Sequence, residues 1–188
     1  MINENSLSIG AADSESVRRL FLACWPDQSL QGILDDLAGH LQLKHGGRKT
    51  EKENIHLTLV FLGQVQLSNE RQLRQKLRTL DIKQFDLEID KTGSFTHCRI
   101  NWVGPRVVPN GLSDLQNVLK LISEELGFQR DDLAYQPHIS LLHKPQAEFD
   151  FDIKPISWNI DHYCLIESKA NKGGVEYEVI EEFPLRKH

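Results

Sequence analysis

One four-residue phrase occurs twice in this chain, and it limits what the chain can fold into. His56-Leu57-Thr58-Leu59 stands within NIHLTLVFLG, and His138-Ile139-Ser140-Leu141 within QPHISLLHK. Each phrase alternates polar and apolar residues, the period of a strand with one buried face. On such a strand His56, Thr58 and Val60 point one way, and Leu57, Leu59 and Phe61 the other. His138 and Ser140 likewise oppose Ile139 and Leu141. The aliphatic side anchors each strand in a core, which leaves the histidine and hydroxyl side to line a cleft.

What precedes each phrase also repeats. Arg18 to Trp25 is an apolar strand ended by Pro26, and Arg99 to Val103 is another, closed by Gly104-Pro105. A helix, a polar loop and a histidine strand follow each. Arg18 precedes His56 by 38 residues, and Arg99 precedes His138 by 39. Matched spacing and matched phrase together point to an internal duplication with one histidine per half. If the halves pack about a pseudo-twofold axis, the two polar faces meet.

The remaining elements follow from period and capping. Asp27 can cap a helix with Leu30, Ile33, Leu34, Leu37 and Leu41 on its stripe, weakened by Gly32. The polar stretch from His45 to Asn54 is expected to be a loop. The first histidine strand should run from about Ile55 to Leu62 and stop at Gly63. Ser68 can cap a second helix, with Leu73, Leu77 and Leu80 on one face and a solvated basic surface elsewhere. Phe85 to Asp90 alternates as a half-buried strand. Ser113 and Gln116 have capping-box spacing before the stripe Leu115, Val118, Leu119, Ile122 and Leu126, and Gly127 sits where a C-terminal cap belongs. Ile156 to Val179 is expected to form two strands around the turn Asn171-Lys172-Gly173-Gly174.

Bulk properties narrow the chemistry. The chain has 188 residues, 39% hydrophobic and 26% charged, within the range of ordinary globular proteins. Residues 1–16 are polar and read as a disordered lead-in to one bilobal domain over 17–188. No apolar stretch approaches the roughly 20 residues of a membrane helix. Cys24, Cys98 and Cys164 are odd in number and form no CxxC pair, which suits a reducing, cytoplasmic compartment with all three thiols buried or half-buried. A net charge of −5 argues against coating long nucleic acid, but not against gripping one or two phosphates.

Two imidazoles on either side of a phosphodiester suit in-line displacement. One takes a proton from the attacking water, and the other protonates the departing oxygen. Thr58 and Ser140 can donate to the non-bridging oxygens. A strained cyclic phosphate needs less help than an acyclic diester, so a metal-free site is sufficient in principle. His143 lies an odd number of residues beyond His138, which puts it on the opposite face unless the strand ends near Leu142 and lets it turn into the cleft. His40, His45, His97 and His162 lack zinc-ligand spacing and read as surface residues. Arg99, Arg106, Lys144, Lys169 and Lys172 are candidates for a basic rim, and Phe95, in a turn-like segment, for stacking on a base. Trp102 and Trp158 read as core.

RLFLACWP, NIHLTLVFLG, NWVGP and PHISLLHK resemble the bacterial and archaeal RNA 2′,3′-cyclic phosphodiesterases, also named 2′-5′ RNA ligases, of the two-histidine phosphoesterase superfamily. The resemblance runs from about Arg18 to the C-terminus. It implies an α+β bilobal fold, with antiparallel sheets flanking a central cleft and helices outside. It also implies cofactor-free opening of a 2′,3′-cyclic phosphate to a 2′-phosphomonoester, by a monomer acting on RNA ends or nucleotides. By the same resemblance His56 is the proton donor, His138 the acceptor, and Thr58 and Ser140 the phosphate-binding hydroxyls. His143 and Lys144 stand where an arginine is common, which makes both candidate substrate-binding residues. Three alternatives remain open: a cyclic phosphodiester of a nucleotide-derived metabolite, reversible 2′-5′ ligation, or RNA binding without turnover.

Overall fold

A computed structural model describes residues 16–128, 134–149, 151–171 and 174–187. Residues 1–15, and Lys172 and Gly173 of the expected turn, lie outside them. Two antiparallel sheets carry the architecture. The first sheet contains β1 (Val17–Cys24), β3 (Leu57–Gln66), β8 (His162–Asn171) and β9 (Gly174–Pro184), in the order β3-β1-β8-β9. The second contains β2 (Arg48–Lys49), β4 (Phe85–Phe95), β5 (Ile100–Gly104), β6 (Ile139–His143) and β7 (Asp152–Ile160), in the order β2-β6-β5-β4-β7. The expected α+β class with paired antiparallel sheets is therefore observed.

The two halves exchange their helices. α1 (Gln28–His45) follows β1 of the first sheet but packs against β6 and β2 of the second. α3 (Asn110–Glu125) follows β5 of the second sheet but packs against β3 of the first, with α2 (Leu67–Leu77) beside it. One buried apolar cluster consequently runs through both sheets, from Leu20, Leu57 and Leu165 to Val103, Leu141 and Trp158. Leu57, Leu59, Ile139 and Leu141, the aliphatic partners of the two motifs, are at most 2% exposed. Each such side chain contributes about 1.5–3 kcal/mol of burial, enough to hold its strand in register.

Local signals were followed unevenly. Asp27 caps α1, its carboxylate accepting from the Leu30 amide at 2.8 Å, an interaction worth about 1 kcal/mol. Gly127 closes α3 with a positive φ of 72°, its amide donating to the Glu124 carbonyl and that of Phe128 to Ser123, the pairing that leaves the fewest orphan carbonyls. Neither expected serine cap is used. α2 begins after Gln66, and α3 begins after Pro109, so Ser113 lies within the first turn. Pro109 is the N-cap residue, in extended conformation with ψ 147°; its carbonyl accepts from the Leu112 and Ser113 amides, and no amide donor is needed from it there. Ile33, expected on the stripe of α1, is 49% exposed.

Three strand expectations are corrected. The stretch His45–Asn54 is not all loop: Arg48 and Lys49 form β2, and Lys52–Asn54 a single 3-10 turn. β3 does not stop at Gly63 but passes through it to Gln66, with a one-residue bulge at Leu62 and a φ of 72° at Gly63. The last part of the chain forms three strands, since β7 precedes the β8–β9 hairpin. No helix among the described residues is long and apolar enough to cross a membrane.

Candidate active site

His56 and His138 each stand immediately before the first residue of a strand, β3 and β6. Their rings are held in the same way. Nδ1 of His56 lies 2.7 Å from the Asn54 carbonyl, and Nδ1 of His138 lies 2.8 Å from the Gln136 carbonyl, in both cases two residues back. A carbonyl oxygen only accepts, so each Nδ1 carries the hydrogen. In the neutral ring Nε2 is then a bare acceptor, free for chemistry. Both histidines line one cleft of about 950 Å³, together with Thr58 and Ser140. The expected meeting of the two polar faces is therefore found.

The surroundings of the two rings differ. His56 stacks on Trp25, with centroids 5.2 Å apart and planes 7° from parallel, and packs against Phe21 and edge-on to Tyr177. Its Nε2 is 3.0 Å from the Thr58 hydroxyl. Burial pushes its pKa down to about 4, against the Asn54 carbonyl that favours the cation and with some further lowering from His138. His138 meets Phe95 edge-on at 4.8 Å, with Trp102 behind it. Burial lowers its pKa as well, again opposed by its carbonyl partner. Tyr135 ties the two motifs together, its hydroxyl donating to the Thr58 carbonyl at 3.1 Å.

Both motif strands carry an extra residue at the same place. The pairing of β1 with β3 steps from Leu22–Val60 to Ala23–Thr58, omitting Leu59. The pairing of β5 with β6 steps from Asn101–Leu142 to Trp102–Ser140, omitting Leu141. Each bulge reverses the alternation beyond it. Phe61 is therefore 54% exposed and lines the cleft instead of the core, and Val60 packs partly on the core. His143 also lines the cleft, although the strand does not end before it. Its Nε2 is 3.2 Å from the Thr50 hydroxyl, which itself donates to the Ser140 carbonyl at 2.8 Å. With the Thr50 proton so used, Nε2 of His143 is the donor of that pair. Burial and the nearby Arg48 charge lower the His143 pKa.

Other expected site residues separate. Phe95 lines the cleft from the end of β4, not from a turn. Lys144 and Arg99 do not: the Lys144 amide donates to the Arg99 carbonyl at 2.7 Å, and the Arg99 guanidinium to the Pro145 carbonyl at 3.2 Å. Arg106 pairs with Asp90 and Asp152, and Lys169 with Glu167 and Glu178. Lys172 lies outside the described residues. Trp102 and Trp158 are buried as expected. Among the described residues, the lysine and arginine side chains that line the cleft are Arg48 and Lys120, and neither was singled out from the sequence. β2 is too short to show a period, and Lys120 reads as the solvated side of an amphipathic helix. His97 and Cys98 also line the cleft; His97 is exposed, as expected of a surface histidine, whereas Cys98 is exposed against the expectation of a buried or half-buried thiol. Away from the cleft, His162, Cys164 and Glu182 bring ligand atoms within 4.8 Å of one another.

Known proteins resemble this chain in both sequence and fold. The model of the LigT-like phosphoesterase family matches residues 25–101. An RNA 2′,3′-cyclic phosphodiesterase of Escherichia coli (strain K12) is 27% identical over 92% of this chain and 98% of its own. One from Methanothermobacter thermautotrophicus is 31% identical over 65% of this chain and 69% of its own. The crystal structure of Escherichia coli LigT complexed with 3′-AMP superposes with a TM-score of 0.79 and 27% identity, covering 90% of this chain and 99% of that one. On these similarities, and with its paired histidine strands facing one cleft, the chain belongs to the LigT-like phosphoesterases.

Proposed function

We propose that this chain hydrolyses the 2′,3′-cyclic phosphate of an RNA end or nucleoside to a 2′-phosphomonoester, without a metal. The observation that carries this reading is the matched pair of imidazoles, each with Nδ1–H fixed on a backbone carbonyl and Nε2 left for the shared cleft. The two relatives named above are RNA 2′,3′-cyclic phosphodiesterases by name, which supports the substrate class, and the 3′-AMP complex is of a nucleotide with a LigT protein. The cleft volume, at the upper end of small-molecule sites, suits an RNA end.

Water attacks phosphorus in line with the 3′ oxygen and gives a proton to Nε2 of His138. The P–O3′ bond breaks, and Nε2 of the His56 imidazolium gives its proton to the departing oxygen. The product is a 2′-phosphomonoester beside a free 3′ hydroxyl, and the two rings have exchanged protonation states.

Thr58 acquires a role that depends on His56. While His56 is neutral, the hydroxyl donates to Nε2. Once His56 is protonated, that nitrogen becomes a donor, and the hydroxyl is released to turn toward a phosphate oxygen. The anionic phosphate supplies the missing incentive, because a negative charge between the rings raises both pKa values. Each positioned acid or base contributes on the order of 10² to 10⁴ in rate.

The test is hydrolysis of a 2′,3′-cyclic-phosphate oligonucleotide in EDTA, with separation of 2′- from 3′-phosphate products. The expected result is undiminished formation of the 2′-phosphate. No hydrolysis, or loss of it on chelation, overturns the proposal. A 2′-5′-linked product from the same substrate would favour ligation instead.

A further inference from the structure

We infer that Arg48 is the phosphate-anchoring cation of the cleft, supplied from the two-residue edge strand β2. This inference rests on the cyclic phosphodiesterase reading and deepens it, because it names the group that holds the substrate's charge.

The placement of Arg48 follows from alternation. β2 pairs with β6 so that Arg48 stands opposite His143 and Lys49 opposite Leu142. Neighbouring side chains on a strand point to opposite faces. Lys49 turns away and binds Asp35 of α1 at 2.7 Å, and Arg48 lines the cleft with His56, His138 and His143. The strand is locked on both sides of Arg48. The Thr50 amide donates to the Leu141 carbonyl at 2.9 Å, and the Thr50 hydroxyl to that of Ser140 at 2.8 Å. Behind it, Gly47 adopts a positive φ of 86°, and a Cβ there would come 2.7 Å from the His143 carbonyl. The backbone of residue 48 is thus fixed to the same strand that carries the second motif.

Charge assigns the task. His56, His138 and His143 are each pushed toward the neutral form by burial. A phosphodiester brings a negative charge that neutral imidazoles and hydroxyls do not balance. Among the described residues that line the cleft, Arg48 and Lys120 are the lysine and arginine side chains, and Glu51 and Glu124 the carboxylates. Arg48 has no ion-pair partner among the described residues, unlike Arg18, Arg74, Arg78, Arg106 and Arg186. An unpaired guanidinium presents a planar fork of donors that fits two phosphate oxygens at once. Its closeness to His143 is already felt as a lowering of that ring's pKa, so Arg48 acts at the Ser140 end of the site.

The experiment measures two quantities in the full chain: the dissociation constant of inorganic phosphate, and KM for a 2′,3′-cyclic nucleotide. Arg48→Met is expected to weaken both by roughly 10- to 100-fold, the effect of losing a charge-assisted hydrogen-bond pair. Lys120→Met is expected to change both by less than Arg48→Met does. Lys49→Met, which removes the neighbouring cation on the other face, is expected to leave both unchanged. Thermal unfolding confirms that each variant is folded. Unchanged phosphate binding in folded Arg48→Met, or a larger loss in Lys120→Met, overturns the inference. The two proposals fail separately. A wild type that binds phosphate through Arg48 but opens no cyclic phosphate removes the activity and leaves the anchor. An Arg48→Met variant that binds phosphate and opens the substrate as well as the wild type does the reverse.

Discussion

Phe61 and His143 occupy equivalent positions in the two halves. Each follows its motif histidine by five residues, and each reaches the cleft because one residue, Leu59 or Leu141, is omitted from the pairing before it. The duplication therefore includes the backbone irregularity as well as the motif. It also produces a division of labour. Where the first half places an aromatic ring beside Phe21, the second places an imidazole beside Arg48. The two ends of the cleft therefore differ, one lined by an aromatic ring and the other by an imidazole and a guanidinium.

The histidine pair gives the first prediction. His56→Ala and His138→Ala should each lower kcat by about 10² to 10⁴ while leaving circular dichroism and oligonucleotide binding largely intact. Combining them should cost much less than the product of the two losses, because acid and base act in one step. Steady-state turnover on a cyclic-phosphate substrate decides it. Near wild-type turnover in either single variant removes that histidine from the mechanism.

The pH profile follows from the electrostatics. Productive free enzyme carries one proton on the pair, and that form is most populated between the pair's two macroscopic pKa values. His56 is held near 4, and His138 is lowered from 6.5. As pH rises, kcat/KM should climb through the lower value, peak on the acid side of 6.5, and fall through the upper. The kcat maximum should lie at higher pH, because the bound phosphate raises both values. A kcat/KM still rising above pH 7 contradicts this arrangement.

Much of this was legible in the sequence because short-period patterns report burial directly. The aliphatic sides of both motif strands are buried as alternation requires, and the paired polar faces converge because the halves are matched. Phe61 was misplaced because a bulge is a tertiary feature: nothing in VFLG marks Leu59 as the residue left out of the pairing. Arg48 was missed because two residues on a strand edge carry no period. The serine caps failed where another residue, Pro109, started the helix first. Lys144 and Arg99 looked available only because sequence does not show that backbone hydrogen bonds bind their loops to each other.

Acid should weaken the fold through His56. Its folded pKa of about 4 lies below the unfolded value near 6.5. Above 6.5 both states are neutral at this site and nothing is lost. As pH falls from 6.5 to 4 the unfolded chain binds a proton that the folded chain refuses, so stability declines across that window. The loss is at most about 3 kcal/mol, and smaller to the extent that water reaches the ring. Urea unfolding at pH 7 and pH 4.5 measures it. His56→Gln should lose less stability over that interval than the wild type, and an equal loss would show that other groups carry the acid sensitivity.

Gly104 offers a test of how tightly the second motif is positioned. A Cβ at this residue would stand 2.6 Å from the Pro137 carbonyl oxygen and 3.6 Å from the His138 Cα. Both are backbone atoms, so they cannot swing aside as a side chain would. Gly104→Ala must shift the Pro137–His138 peptide, and with it the Gln136 carbonyl that fixes the His138 tautomer. Overpacking of this kind costs about 1–3 kcal/mol. The displacement should also lower kcat by more than it raises KM, because Arg48 lies on another strand, β2, and keeps its place. Denaturant midpoints and steady-state kinetics on the same preparation separate the two effects. A variant of unchanged stability and kcat would mean that β5 and the segment leading to His138 can part without cost, and that the ring is not held by this contact.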